Sequence, residues 1–210
     1  MTTELAPAPI RTELTEHPAS LRLPSADELP YDDGDKMESP WHFGNAALLL
    51  ANYVAARDGR RDDYFIGANM FIYFSEHQVR NQDFRGPDVF IVRNVDGTRY
   101  RPSWVAWEEG WRLPDVIFEL LSTSTEDYDL AEKKHIYEQV FKTREYFCCA
   151  PEVQRLLGWR LNAQTQRYES IPRDARGWLW SAELELWLGS WHGVFFSEEH
   201  TWLRFYHPNG

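Results

Sequence analysis

Cysteine is scarce in this chain: two in 210 residues, and they are neighbours, Cys148 and Cys149. Adjacent strand residues point to opposite faces and do not normally bridge. A disulfide scaffold is therefore excluded, and two buried thiols in a reducing compartment are expected. Basic charge is short as well, with 22 Lys and Arg against 33 Asp and Glu and a net charge of −11. That argues against a broadly basic surface built to grip phosphates, though a local patch could still form. No run of about 18 apolar residues exists, so no membrane helix is expected. Met1 to Ala19 mixes Thr, Glu, Pro and Ala and shows no basic-then-apolar signal pattern, which sets a cytoplasmic location as the expectation.

Aromatic and apolar residues are plentiful. The hydrophobic share is 43% and the aromatic share 15%, with ten tryptophans, enough to build a real core. Residues 1–30, rich in Pro, Ala, Thr, Ser and Glu, read as a flexible arm with a short helix near 25–29. Residues 31–210 read as a single domain that opens on a turn at 31–35. Ser39 and Pro40 begin a helix that ends at Gly59. Strands are expected at 64–66, 70–74, 88–92, 103–107 and 115–121, then at 145–149, 156–161 and 167–171. Between them, hydroxyls at 122–125 followed by Glu126 and Asp127 start a helix running to Phe141, with capping-box spacing between Ser124 and Asp127. The tail from Trp178 to His207 is expected to be β-rich, with Gly189 and Gly193 as breakers. The fold class is α+β: a mixed β-sheet core flanked by helices, with extra antiparallel strands toward the C-terminus.

The carboxylates within the apolar strands carry the chemical signal. An ionised carboxylate beside a buried strand costs several kcal/mol unless a cation or hydrogen bonds compensate it. Asp88 opens one such strand, and Glu119 interrupts Val116-Ile117-Phe118 and Leu120-Leu121 in another. Asp115 lies on the same strand face as Glu119 but roughly 13 Å along it, too far to share one ion. Asp115 is therefore a supporting residue, and Asp88 could partner Glu119 if their strands pair. On the following helix, Asp129, Lys133 and Tyr137 repeat at four-residue spacing and share a face. Lys133 could point back over the end of the Glu119 strand. A divalent ion on two carboxylates with a lysine beside it suits phosphodiester hydrolysis. The Ser122–Thr125 hydroxyls read as a helix cap, and His192, His200 and His207 lack zinc-like spacing.

The runs Pro87-Asp88-Val89, Pro114-Asp115-Val116-Ile117-Phe118-Glu119-Leu120-Leu121-Ser122 and Asp129-x-x-x-Lys133-x-x-x-Tyr137 resemble the Uma-type "putative restriction endonuclease" family. So does the later Arg144-Glu145-Tyr146-Phe147. That family belongs to the PD-(D/E)XK nuclease superfamily. The resemblance spans about residues 31–189 and implies a restriction-endonuclease-like core. It also implies Mg²⁺ (or Mn²⁺) held by Asp88 and Glu119, DNA as the partner, and a homodimer. Leu121 stands where the superfamily usually has its lysine, and Lys133 matches the helix position to which the lysine has moved. Lys134 is its neighbouring candidate, Tyr137 a supporting residue, and Glu38, just before the first helix, and His42, on it, are lesser candidates. Two functions follow from this reading. One is a metal-dependent DNA endonuclease. The other is a catalytically inactive nuclease-fold protein used for binding or regulation, to which the acidic balance and Leu121 point. A self-assembling scaffold built on the Trp-rich tail is a third.

Overall fold

The computed structural model describes residues 23–29, 39–75 and 86–209. Its centre is a six-stranded sheet of β1 (Tyr64–Ala68), β3 (Val89–Arg93), β5 (Val116–Leu120), β6 (Glu145–Cys149), β7 (Leu156–Leu161) and β8 (Tyr168–Ser170), neighbours in that order. β5 and β6 run parallel and every other pair is antiparallel, so the sheet is mixed as expected. A parallel pair cannot be joined by a tight hairpin and needs a crossover. Helix α2 (126–141) supplies it and packs on one face of the sheet with the short parallel pair β2 (Ile72–Tyr73) and β4 (Trp104–Val105). Helix α1 (Pro40–Ala56) and an antiparallel sheet of β9 (Leu179–Ser181), β10 (Leu186–Phe195) and β11 (Glu198–Tyr206) cover the other face. With both faces covered, the middle strands are buried along their length rather than on alternate residues, and Glu119 is the acid within β5.

The alternation persists in where the side chains go. Val89, Ile91, Val116, Phe118, Leu120 and Cys149 face α1 and the C-terminal sheet. Phe90, Val92, Ile117, Tyr146 and Cys148 face α2. The two cysteines are thus free, buried and on opposite faces. Among the described residues no helix is long and apolar enough to cross a membrane.

Helix α1 starts as its residues dictate: Ser39 caps it, its Oγ accepting the His42 N–H at 3.3 Å, and Pro40 fills the first turn. It ends at Ala56, earlier than expected, and Gly59 turns the chain away at φ +73°. Asn45 ties it to β11, donating to the Leu203 carbonyl at 3.4 Å and accepting the Leu203 N–H at 2.9 Å.

Several expectations are corrected. Helix α2 begins at Glu126 with Thr125 as its cap residue, whose own side chain does not cap it; Ser122 Oγ accepts the Thr125 N–H at 3.2 Å and lies 2.9 Å from Ser124 Oγ, so the hydroxyls knit the turn before the helix. Gly189 and Gly193 lie inside β10 and do not break it. A Cβ there would come within 2.5 Å of the Trp178 ring or 2.4 Å of the Trp191 ring; these glycines make room for indoles. Strand 103–107 shortens to Trp104–Val105 before a 3₁₀ turn, Ala106–Glu108. Within the expected arm, residues 23–29 pack on the domain. Ala26–Glu28 form a 3₁₀ turn, and Leu29 is buried against Phe71, Tyr73 and Val105 because an apolar side chain finds a cluster there. The rest of that arm, the turn at 31–35 and Glu38 lie outside the described residues.

Candidate active site

Register brings the two carboxylates together. β3 and β5 pair Val89 with Phe118, Phe90 with Ile117 and Ile91 with Val116. One step further along the same register, Asp88 lies opposite Glu119. Both take the face toward α2, because strand side chains alternate with period two. Asp88 Oδ2 accepts the Leu120 N–H at 2.6 Å, and the Asp88 N–H donates to Glu119 Oε2 at 3.4 Å. The Leu120 carbonyl is engaged too: His42 Nε2 donates to it at 3.0 Å, while His42 Nδ1 lies 2.7 Å from Ser39 Oγ.

Helix α2 supplies the third group. Lys133 Nζ lies 3.1 Å from Glu119 Oε2 and 2.8 Å from Asp129 Oδ1. Tyr137 Oη donates to Glu119 Oε1 at 2.9 Å, so Glu119 is contacted through both oxygens. This alignment depends on how the helix winds. In an α-helix, a residue four places on lies about 40° past its predecessor. A line through 129, 133, 137 and 141 would therefore drift around the helix. Here α-helical turns Glu126–Tyr128 and Lys134–Ile136 alternate with π-helical turns Asp129–Lys133 and Tyr137–Phe141. Wider π turns wind less per residue and take the drift back. Asp129, Tyr137 and Phe141 are all buried as a result, and the Lys133 side chain is 16% exposed.

Burial dominates the electrostatics. It pushes the Glu119 carboxyl up to about 8; Lys133 opposes the rise, and Asp88 and Asp129 add to it. Asp88 is raised by the same desolvation, against its Leu120 hydrogen bond and Lys133. Desolvation alone would lower the Lys133 ammonium, but Glu119, Asp129 and Asp88 outweigh it and hold its pKa above the ordinary lysine value. Burial, then the neighbouring Glu119, keeps Tyr137 protonated. Three carboxylates thus surround one ammonium. Fully ionised, the cluster carries two negative charges in excess.

A sequence profile of the Uma2 family, described as "Putative restriction endonuclease", matches residues 20–192. The chain belongs to the Uma2 family. A solved structure described as a "putative nuclease belonging to DUF820" from Anabaena variabilis is similar at a TM-score of 0.49 and 14% identity, over 77% of this chain and 91% of that one. A comparison with curated proteins returns no match.

The other sequence candidates of this Uma2 chain are dispersed. Asp115 sits at the opposite end of β5, where Oδ2 accepts the Arg93 N–H at 2.8 Å and Arg144 Nε lies 3.6 Å from Oδ1. Lys134 turns away, its Nζ 3.9 Å from the centre of the Trp159 ring. His42 reaches the site through the Leu120 backbone. The sequence places Asp129 only on a shared helix face, and its contact with Lys133 adds it to the cluster. The available signal is its four-residue spacing from Lys133, which on most helices marks a solvated pair. Among the described residues, no group of three or more His, Cys, Asp or Glu side chains stands ready to hold a metal ion. A metal at Asp88 and Glu119 would complete its shell with water or substrate.

Proposed function

We propose that this chain is a metal-dependent endonuclease that hydrolyses DNA phosphodiester bonds, with Asp88 and Glu119 as metal ligands and Lys133 as the catalytic cation. The observation that carries the reading is the meeting of Asp88, Glu119 and Lys133, from two strands and a helix, in a cluster with negative charge in excess. The donor set fits Mg²⁺, a hard ion bound through one or two carboxylates that keeps several waters and takes substrate phosphate oxygens. When bound, such an ion would lower the pKa of its water and neutralise charge on the phosphate. The chain's own residues do the rest. Asp88 and Glu119 would hold the ion, and Glu119 would first have to give up the proton that burial favours. Tyr137 fixes the Glu119 carboxylate by its hydrogen bond to Oε1. Lys133, charged and mostly withdrawn from water, orients the attacking group and stabilises the anion that develops on the phosphate.

A cytoplasmic homodimer completes this reading, and sizing chromatography should return twice the chain mass of 24.8 kDa. The net charge of −11 favours a second reading, a catalytically inactive nuclease-fold protein used for binding or regulation. Plasmid cleavage with and without Mg²⁺ separates the two. The expected outcome is Mg²⁺-dependent cleavage that falls about a hundredfold or more in Asp88→Asn and in Glu119→Gln, with circular dichroism unchanged. Absence of metal-dependent cleavage by the unsubstituted chain, or full activity in both variants, would overturn the endonuclease reading.

A further inference from the structure

Lys133 has two carboxyl partners with different duties. Its ammonium lies 3.1 Å from Glu119 Oε2, the oxygen that also faces the Asp88 N–H, and 2.8 Å from Asp129 Oδ1. Any divalent ion that binds the ionised Glu119 meets the ammonium already 3.1 Å from one of its oxygens. Two cations on one carboxylate repel, so the ammonium needs a second anion to rest on. Asp129 is that anion. Its side chain is 2% exposed, and it lies on the same line of α2 as Lys133 because the helix winds through a π turn there. Its backbone is fixed independently of the Asp88 and Glu119 side chains: its carbonyl accepts the buried Tyr146 hydroxyl at 2.9 Å.

We infer that Asp129 is the positioning residue of Lys133: its carboxylate seats the ammonium beside Glu119 and keeps it seated when a divalent ion reaches Glu119. The inference rests on the metal reading above and adds a residue to it. Without Asp129, the ammonium falls wholly onto Glu119 and competes with the ion. Asp129 therefore acts through Lys133 and not through its own charge on the ion.

Calorimetric titration of Mn²⁺ into the full chain and its Asp129→Asn, Lys133→Met and doubly substituted forms tests this. Asp129→Asn should weaken Mn²⁺ binding by about tenfold, within the range of coupling between charged groups in contact, and should leave it unchanged once Lys133 is replaced by Met. Equal weakening in both backgrounds means that Asp129 acts by its own charge, and the inference fails. Urea unfolding of the same four proteins without metal is a second, independent test. Asp129→Asn should lower the midpoint when Lys133 is present and not in the Lys133→Met background, whereas equal losses mark a merely structural aspartate and overturn the inference. Should the unsubstituted chain take up no Mn²⁺, the metal reading fails while the unfolding comparison still decides the seat of Lys133. If Lys133→Met does not fold, a crystal structure of Asp129→Asn decides: Nζ displaced toward Glu119 supports the inference, and an unmoved Nζ overturns it.

Discussion

Glu119 is the residue on which the cluster turns, and its burial has a measurable cost. Its carboxyl rises from 4.5 to about 8 in the folded chain, so between those values the folded form holds a proton that the unfolded form has released. Stability attributable to this proton is full below about pH 4.5 and is lost as pH rises toward 8, at no more than about 1.4 kcal/mol per pH unit. Urea midpoints at pH 5, 7 and 9 should therefore fall more steeply for the unsubstituted chain than for Glu119→Gln, which cannot ionise; parallel profiles would contradict the assignment. Tyr137→Phe removes the hydroxyl that donates to Glu119 Oε1 in that buried pair. Loss of a buried partner of this kind costs about 1–3 kcal/mol, and a lowered unfolding midpoint should report it. Glu119 is legible in the sequence because an acid inside an apolar strand has few bland explanations, and Asp88 because a Pro-Asp step opens the neighbouring run. Asp129 is not, since an acid four residues before a lysine looks the same on a solvated helix as on a buried one.

Elements set the geometry that these residues exploit. The β6 and β7 boundaries are readable to the residue from short runs of aromatic, Leu and Cys side chains, and so is the end of α2 at Phe141. The π turns inside α2 are not, because the same residues support either winding and packing against the sheet selects between them. The glycines of β10 mislead for a related reason: local propensity marks glycine as a breaker, while the reason for these two lies in rings brought from Trp178 and Trp191. Gly189→Ala places a methyl against the Trp178 ring, which itself stacks on Tyr206 at 4.0 Å. Overpacking of that kind costs about 1–3 kcal/mol, so the thermal midpoint should drop without loss of strand content by circular dichroism.

At the scale of the whole molecule, a buried acid helps to clasp the C-terminal sheet to the central one. Glu145, fully buried at the end of β6 away from Asp88 and Glu119, accepts from Arg160 at 2.8 Å, from the Ser181 hydroxyl and from the Ala182 N–H at 2.9 Å. Arg160 in turn donates to the Trp180 carbonyl at 2.9 Å. Arg160→Met leaves this carboxylate without its cation but with its Ser181 and Ala182 hydrogen bonds, and should cost about 1–3 kcal/mol, read as a lower urea midpoint. The clasp cannot be foreseen from the sequence, where Glu145 reads as the start of a strand and part of the family's Glu-Tyr-aromatic run, because its partners come from β7, the end of β9 and the turn after it. At the other end of the sheet, the Leu120 amide finds its acceptor in the Asp88 side chain instead of a neighbouring strand's carbonyl. The isotope exchange of that one backbone proton therefore follows the state of a carboxylate. It should exchange faster in Asp88→Ala while the amides of Val116 and Phe118 keep their protection. That makes Leu120 a reporter, readable by magnetic resonance, of what Asp88 is holding.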